Sequence, residues 1–214
     1  MSNTTHNRKG IFITLEGIEG AGKSTHARFI KRLLEEAGKS CILTREPGGT
    51  GAGENIREIL LQRSELRISG LSELLLMFAA RAQHLHEVIL PALAEGKLVI
   101  CDRFTDSSYA YQGGGRDVDP DKICALAKIV HPDFKPDLTL LFDVSPATGL
   151  ERAGKSGERD RFESESLAFF DSVRKAYLRI AETEPERVFI IDAEADISGV
   201  ETSIRQLLAE KNLC

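Results

Sequence analysis

Broad positive charge is missing from this 214-residue chain: 28 Lys and Arg stand against 33 Asp and Glu, a net charge of −5 at pH 7. A surface built to follow a nucleic-acid backbone needs the opposite balance, so no nucleic-acid partner is expected. No apolar run reaches about 18 residues, which argues against a membrane-spanning helix. The polar stretch Met1 to Lys9 carries no hydrophobic segment of the kind a secretory leader uses, and a cytoplasmic protein is the expectation. Cysteine is sparse. Cys41, Cys101, Cys124 and Cys214 form no C-x-x-C pair, and two fall in apolar, strand-like runs, so they read as reduced core thiols in a reducing compartment. His6, His26, His84 and His86 have no Cys, Asp or Glu at a metal-ligand spacing and read as packed or surface residues. Internal repeats, low-complexity tracts and any N-K-x-D guanine signature are also lacking.

What is present suits one α/β domain spanning 1–214, since 42% of residues are hydrophobic. Apolar strand candidates at about 10–16, 40–44, 97–102, 137–143 and 187–192 alternate with helical stretches. These fall near 23–37, 52–62, 71–95, 119–130, 146–153, 164–183 and 198–211. That alternation predicts a five-stranded parallel sheet covered by helices on both faces. Pro91 lacks a backbone donor and is expected to bend the long third helix.

Gly17-Ile18-Glu19-Gly20-Ala21-Gly22-Lys23-Ser24-Thr25 fits G-x-x-x-x-G-K-[ST], with a strand candidate before it and a helix after it. Gly17 and Gly22 allow backbone angles that let successive N–H groups converge on phosphate oxygens at a positive helix end. Lys23 adds a point charge for the β- and γ-phosphates, and the Ser24 hydroxyl suits Mg²⁺. The expected architecture is therefore the three-layer P-loop NTPase fold.

Two strand ends add to this. Leu98-Val99-Ile100-Cys101-Asp102 closes on an acid able to orient Mg²⁺ or its waters, and Arg103 follows at once. Thr44-Arg45-Glu46-Pro47-Gly48-Gly49-Thr50 places a second arginine at a strand tip, where it can fork a phosphate. One phosphate loop with two strand-end arginines implies two phosphate-bearing ligands, hence phosphoryl transfer between nucleotides. A nucleotide-driven switch or binding module would share only the first motif.

At this point the chain resembles the bacterial thymidylate kinases over nearly its whole length. The resemblance is carried by Leu15-Glu16-Gly17 through Thr25, Arg45 through Thr50, Phe78-Ala79-Ala80-Arg81-Ala82-Gln83-His84 and Asp102-Arg103-Phe104. Ser108-Tyr109-Ala110-Tyr111-Gln112-Gly113, Pro136-Asp137-Leu138-Thr139 and Asp160-Arg161-Phe162-Glu163 extend it. It implies transfer of the γ-phosphate of ATP to dTMP, a homodimer formed through packed helices, and a short lid at about 146–163.

The resemblance also assigns roles. Glu16 is to bond the sugar 3′-hydroxyl and help place Arg103, Arg45 and Arg103 to hold the acceptor phosphate, and Arg81 to donate to thymine O4. Ser108 and Gln112, four apart, are to read the N3 and carbonyl edge of the base, and Tyr111 to exclude a 2′-hydroxyl. Either Met77 or Phe78 is to stack on thymine. The arginine that eukaryotic members carry inside the phosphate loop is replaced here by Gly20, so the lid, through Lys155 or Arg159, is to supply the cation. A relative acting on another monophosphate would keep the loop and lid but change the base pocket. Leu167, Phe170, Arg174, Tyr177 and Ile180 form a helical stripe read as core, and the turn Gly113-Gly114-Gly115-Arg116-Asp117 is left without a role.

Overall fold

The computed structural model describes residues 9–62, 67–154, 161–162 and 164–214. Strands β1 (Phe12–Glu16), β2 (Cys41–Arg45), β3 (Leu98–Asp102), β4 (Leu138–Asp143) and β5 (Val188–Asp192) pair in parallel in the order β2-β3-β1-β4-β5. Each lies within two residues of its expected bounds. β1 is central and buried along its whole length. Its alternating side chains serve two cores: Ile13 and Leu15 join Ile100 and Leu140 on one face, while Phe12 joins Val99 and Cys101 on the other.

Helices α1 (Lys23–Glu36), α2 (Gly51–Leu61), α3 (Gly70–His84), α4 (Leu90–Ala94), α5 (Thr105–Ser108), α6 (Pro120–Val130), α7 (Pro146–Gly154), α8 (Leu167–Thr183) and α9 (Ile197–Glu210) cover the sheet. Short polar side chains start most of the long ones: Thr50, Ser69, Asp119, Ser166 and Asp196 each accept from a backbone N–H of the first turn. The irregularity expected at Pro91 takes the form of a π turn, Leu85–Ile89, directly before α4; the Leu90 N–H reaches back to the Leu85 carbonyl.

Two sequence expectations change. The segment after β3 is helical, running through α5 into a π-helical stretch, Tyr109–Gly115. Its glycines are there for close approach: a Cβ on Gly114 would sit 2.8 Å from the Ala176 Cβ, and one on Gly115 2.4 Å from the Phe169 ring. Only a bare backbone lets this stretch lie against α8. As for the thiols, Cys101 is in the core, whereas Cys41 and Cys124 are half-buried and Cys214 is exposed. No helix among the described residues is long and apolar enough to cross a membrane.

Candidate active site

The carboxyl ends of the strands open on a cavity of about 980 Å³. Because β1 is central and β2 and β5 are the sheet edges, residues following these strands occupy different sectors of it. Arg45 and Glu46 belong to the β2 side, the loop after β1 to the middle, and Ala193 to Val200 to the β5 side.

The middle sector is a phosphate cradle. Gly17, Gly20 and Gly22 have φ of 136°, 70° and 84°, which side-chain-bearing residues resist, and Gly22 caps α1 in the left-handed conformation. At Gly20 a Cβ would fall 1.9 Å from the Gly149 carbonyl oxygen, so no arginine fits at that place in this chain. Glu19 through Thr25 line the cavity. Gly17 and Ile18 do not; Ile18 is a core side chain, and the two carbonyls accept from Lys23 Nζ at 2.9 and 2.8 Å. Burial and the nearby Arg103 charge push the Lys23 amine down to about 8, against the pull of Asp102, Glu19 and Glu16.

Ser24 and Asp102 are neighbours: Ser24 Oγ donates to Asp102 Oδ2 at 3.0 Å. Asp102 Oδ1 is buried and has no hydrogen-bond partner among the described residues. A buried, unpartnered carboxylate oxygen beside a hydroxyl is a donor set that fits Mg²⁺.

Arg103 holds a left-handed backbone, φ 73°, rare for an arginine. Four groups fix its guanidinium. Nη1 donates to Ser107 Oγ at 3.2 Å and Tyr177 Oη at 3.1 Å; Nη2 donates to Glu19 Oε1 at 3.0 Å and Tyr111 Oη at 2.9 Å. Tyr177, assigned to core packing from its spacing, is therefore also part of the site's scaffold. Arg45, about half exposed, donates to Glu54 Oε2 at 2.9 Å.

Of the two parts expected of Glu16, helping to place Arg103 agrees with its contacts, whereas its side chain is not on the cavity wall where a sugar 3′-hydroxyl would sit. The Glu16 side chain is buried, accepting from the Phe104 N–H at 2.8 Å, Ser107 Oγ at 2.6 Å and Tyr177 Oη at 2.9 Å. Burial and the Asp106 charge raise its carboxyl to about 7, against Ser107, Arg103 and Tyr177. The carboxylate that faces the cavity beside Arg103 and Tyr111 is Glu19, whose Oε2 accepts from Tyr111 Oη at 2.6 Å. The strand ends at Glu16 and fixes its side chain inward; the turn at Gly17 then carries Glu19 to the wall.

On the β2 side, Arg81, Ser108, Tyr111 and Gln112 all line the cavity. Arg81 is 2% exposed: Nε donates to Glu46 Oε2 at 2.7 Å, Nη1 and Nη2 each to Ser108 Oγ at 3.2 Å, and Nη2 to the Phe104 carbonyl at 3.1 Å. Burial alone would raise the Glu46 carboxyl, but Arg81 and the His84 hydrogen bond outweigh it and hold it low. Of the two stacking candidates, Met77 is on the cavity wall. Phe78 is in the core with Leu74 and Ile123, its ring under the Arg81 guanidinium at 4.6 Å.

The fold also brings Glu46, His84 and Cys101 within 4.8 Å of one another, a juxtaposition that spacing along the chain conceals. It is a hydrogen-bonded cluster: His84 sits between Glu46 Oε1 at 3.0 Å and Thr44 Oγ1 at 2.6 Å, and Cys101 Sγ donates to the Arg103 carbonyl. His26 lines the cavity, its ring stacked 5.6 Å from Phe142. Lys155 and Arg159 lie outside the described residues. On the β5 side, Arg152 of the expected lid stretch donates from Nη1 to the Ala193 carbonyl at 2.7 Å, and Ala195 through Ser198, which the sequence does not single out, also line the cavity. They carry no motif, and only the fold places them there.

Comparison with known proteins agrees with this geometry. A family model described as thymidylate kinase matches residues 15–204. A thymidylate kinase of Pseudomonas syringae pv. tomato is 54% identical over 201 residues, covering 94% of this chain and 96% of that protein. One from Hahella chejuensis is 50% identical over 204 residues, covering 95% and 98%. Among solved structures, the crystal structure of thymidylate kinase from Ehrlichia chaffeensis superposes with a TM-score of 0.74 at 34% identity, over 93% of this chain and 98% of that one.

Proposed function

The chain belongs to the thymidylate kinase family, and from that premise we propose how its cavity divides the work. The protein is a nucleoside monophosphate kinase that phosphorylates dTMP to dTDP with ATP as donor. The observation that carries the assignment of sites is the order of sectors: a phosphate cradle in the middle, an arginine-rich pocket on the β2 side, a second lobe on the β5 side. The dTMP site is the first pocket and the ATP nucleoside takes the second.

Arg45 and Arg103 hold the acceptor phosphate. Arg81 and Gln112 read the base with Ser108 in support, Met77 covers its face, and Tyr111 fills the volume a 2′-hydroxyl would need. Glu19, rather than Glu16, accepts from the 3′-hydroxyl; Glu16 orients the backbone and hydroxyl groups around Arg103. An oxygen of the acceptor phosphate attacks the γ-phosphorus in line and is already anionic, so no strong general base is required. Lys23, Arg103 and a lid cation, Lys155 or Arg159, neutralise the charge that develops, and lid closure keeps out water, the competing acceptor. Ser24 and Asp102 would hold Mg²⁺, which when bound supplies charge neutralisation to the phosphates.

The same reading takes the chain as one cytoplasmic catalytic domain that forms a homodimer. Leu71 and Leu75 of α3 are 43% and 49% exposed, next to buried Leu74 and Phe78, and Ile59 of α2 is exposed as well, which favours a second copy against this face. Sedimentation showing only a 23.6 kDa species at micromolar concentration would refute the dimer. The site assignment is tested by initial rates with ATP and each of dTMP, dUMP, dCMP and dAMP, in the native enzyme and in Arg81→Ala. The native enzyme should prefer dTMP, and the variant should lose that preference while keeping its ATP affinity.

A further inference from the structure

A carboxylate lies behind Gln112, off the cavity wall, that the transfer scheme does not use. Glu73, in the first turn of α3, is fully buried. Its two oxygens face different partners. Oε1 accepts from Gln112 Nε2 at 2.7 Å; Oε2 accepts from Arg161 Nη2 at 2.6 Å and lies 3.5 Å from Arg116 Nε. Both guanidiniums are themselves held, Arg161 by the Leu60 carbonyl at 2.8 Å and Arg116 by Glu165 at 2.7 Å. The carboxylate thus has a fixed position and its charge is compensated.

A carboxylate only accepts hydrogen bonds, whereas a primary amide has one donating and one accepting end. The end of Gln112 that meets Glu73 must therefore be its nitrogen. Rotating the amide would set two acceptors against each other in a buried place, at a cost that water cannot relieve. We propose that Glu73 is a specificity-determining positioning residue: it locks Gln112 with Oε1 turned toward the base, so that the pocket demands an N–H on the facing edge. The N3 of thymine carries a hydrogen and the N3 of cytosine does not. The inference rests on the reading of Gln112 as a base-contacting residue.

Glu73→Gln tests it with little change in volume, because a glutamine partner accepts or donates and frees both orientations of Gln112. The expected result is a KM for dTMP raised about tenfold with kcat changed less than about twofold, and a dTMP-to-dCMP ratio of kcat/KM lowered about tenfold or more. An unchanged ratio in a folded variant overturns the proposal. Gln112→Ala separates the two layers of the argument. If it lowers the ratio while Glu73→Gln does not, Glu73 is only structural; if it leaves the ratio unchanged, the reading of Gln112 fails and this inference with it. Should Glu73→Gln not fold, the wild-type enzyme still decides by NMR. The Gln112 side-chain amide, assigned by its loss in Gln112→Ala, should show one proton protected from solvent exchange, and exchange as fast as in an exposed glutamine refutes the lock.

Discussion

The Tyr111 hydroxyl donates to Glu19 Oε2 at 2.6 Å, and Arg103 Nη2 reaches both Tyr111 Oη at 2.9 Å and Glu19 Oε1 at 3.0 Å. The residue proposed to reject ribose and the carboxylate proposed to meet the sugar are therefore one bonded unit. Glu19 couples the two proposed functions by a direct hydrogen bond.

Tyr111→Phe, which removes only the hydroxyl, should thus weaken discrimination against 3′-deoxy dTMP as well as loosen Arg103. In a double-mutant cycle with Glu19→Gln, read through kcat/KM for dTMP, the coupling should lie at about 0.5–3 kcal/mol. Strict additivity would show that the two side chains act separately.

Lys23→Ala should lower kcat at least about 100-fold while the far-ultraviolet spectrum stays native, since the amine is the one cation held inside the phosphate loop by the carbonyls of Gly17 and Ile18. Near-normal turnover by a folded variant would remove Lys23 from the mechanism.

Glu16 predicts a pH dependence of stability. Its carboxyl rises from the ordinary 4.5 to about 7 in the fold, burial being the main cause. Between these values the native state keeps a proton that the unfolded chain has lost. Its stabilising contribution is therefore complete below pH 4.5 and is lost as pH rises toward 7. One proton gives a slope of at most about 1.4 kcal/mol per pH unit. Urea titrations from pH 5 to 7 should show that slope flattened in Glu16→Gln; identical slopes in both proteins would contradict the shift.

Gly115→Ala should destabilise by about 1–3 kcal/mol, because the added methyl meets the Phe169 ring at 2.4 Å and Val173 at 3.0 Å. Gly51→Ala, with nothing within 4 Å, is the control and should stay within about 0.5 kcal/mol. Equal denaturation midpoints would mean that α8 yields to the methyl.

The strands were legible because each is a short apolar run closed by turn residues, and the phosphate loop because its glycines and lysine have one geometric use. The helix after β3 was not. Thr105-Asp106-Ser107-Ser108 and Gly113-Gly114-Gly115 have poor helix propensity, and what holds them helical is contact with α8, a neighbour more than fifty residues away in sequence. Glu16 and Glu19 illustrate a second limit. On a strand buried on both faces, period-two alternation says which way Glu16 points but not whether cavity or protein lies there. Glu73 shows a third: a buried acid in an apolar helix turn gains its meaning from Gln112, Arg116 and Arg161, all distant in sequence.

Two parts of the lining of the proposed dTMP pocket differ in how far they can be adjusted. The wall bearing Ser108, Tyr111 and Gln112 continues into Gly114 and Gly115, whose bare backbone lies directly on α8. From α3 the lining takes Met77, an unbranched thioether with three rotatable bonds at a half-buried position. Ligands or mutations that enlarge the space around the base should therefore meet less resistance at Met77 than at Tyr111, and a designed inhibitor gains more from a substituent aimed at the first.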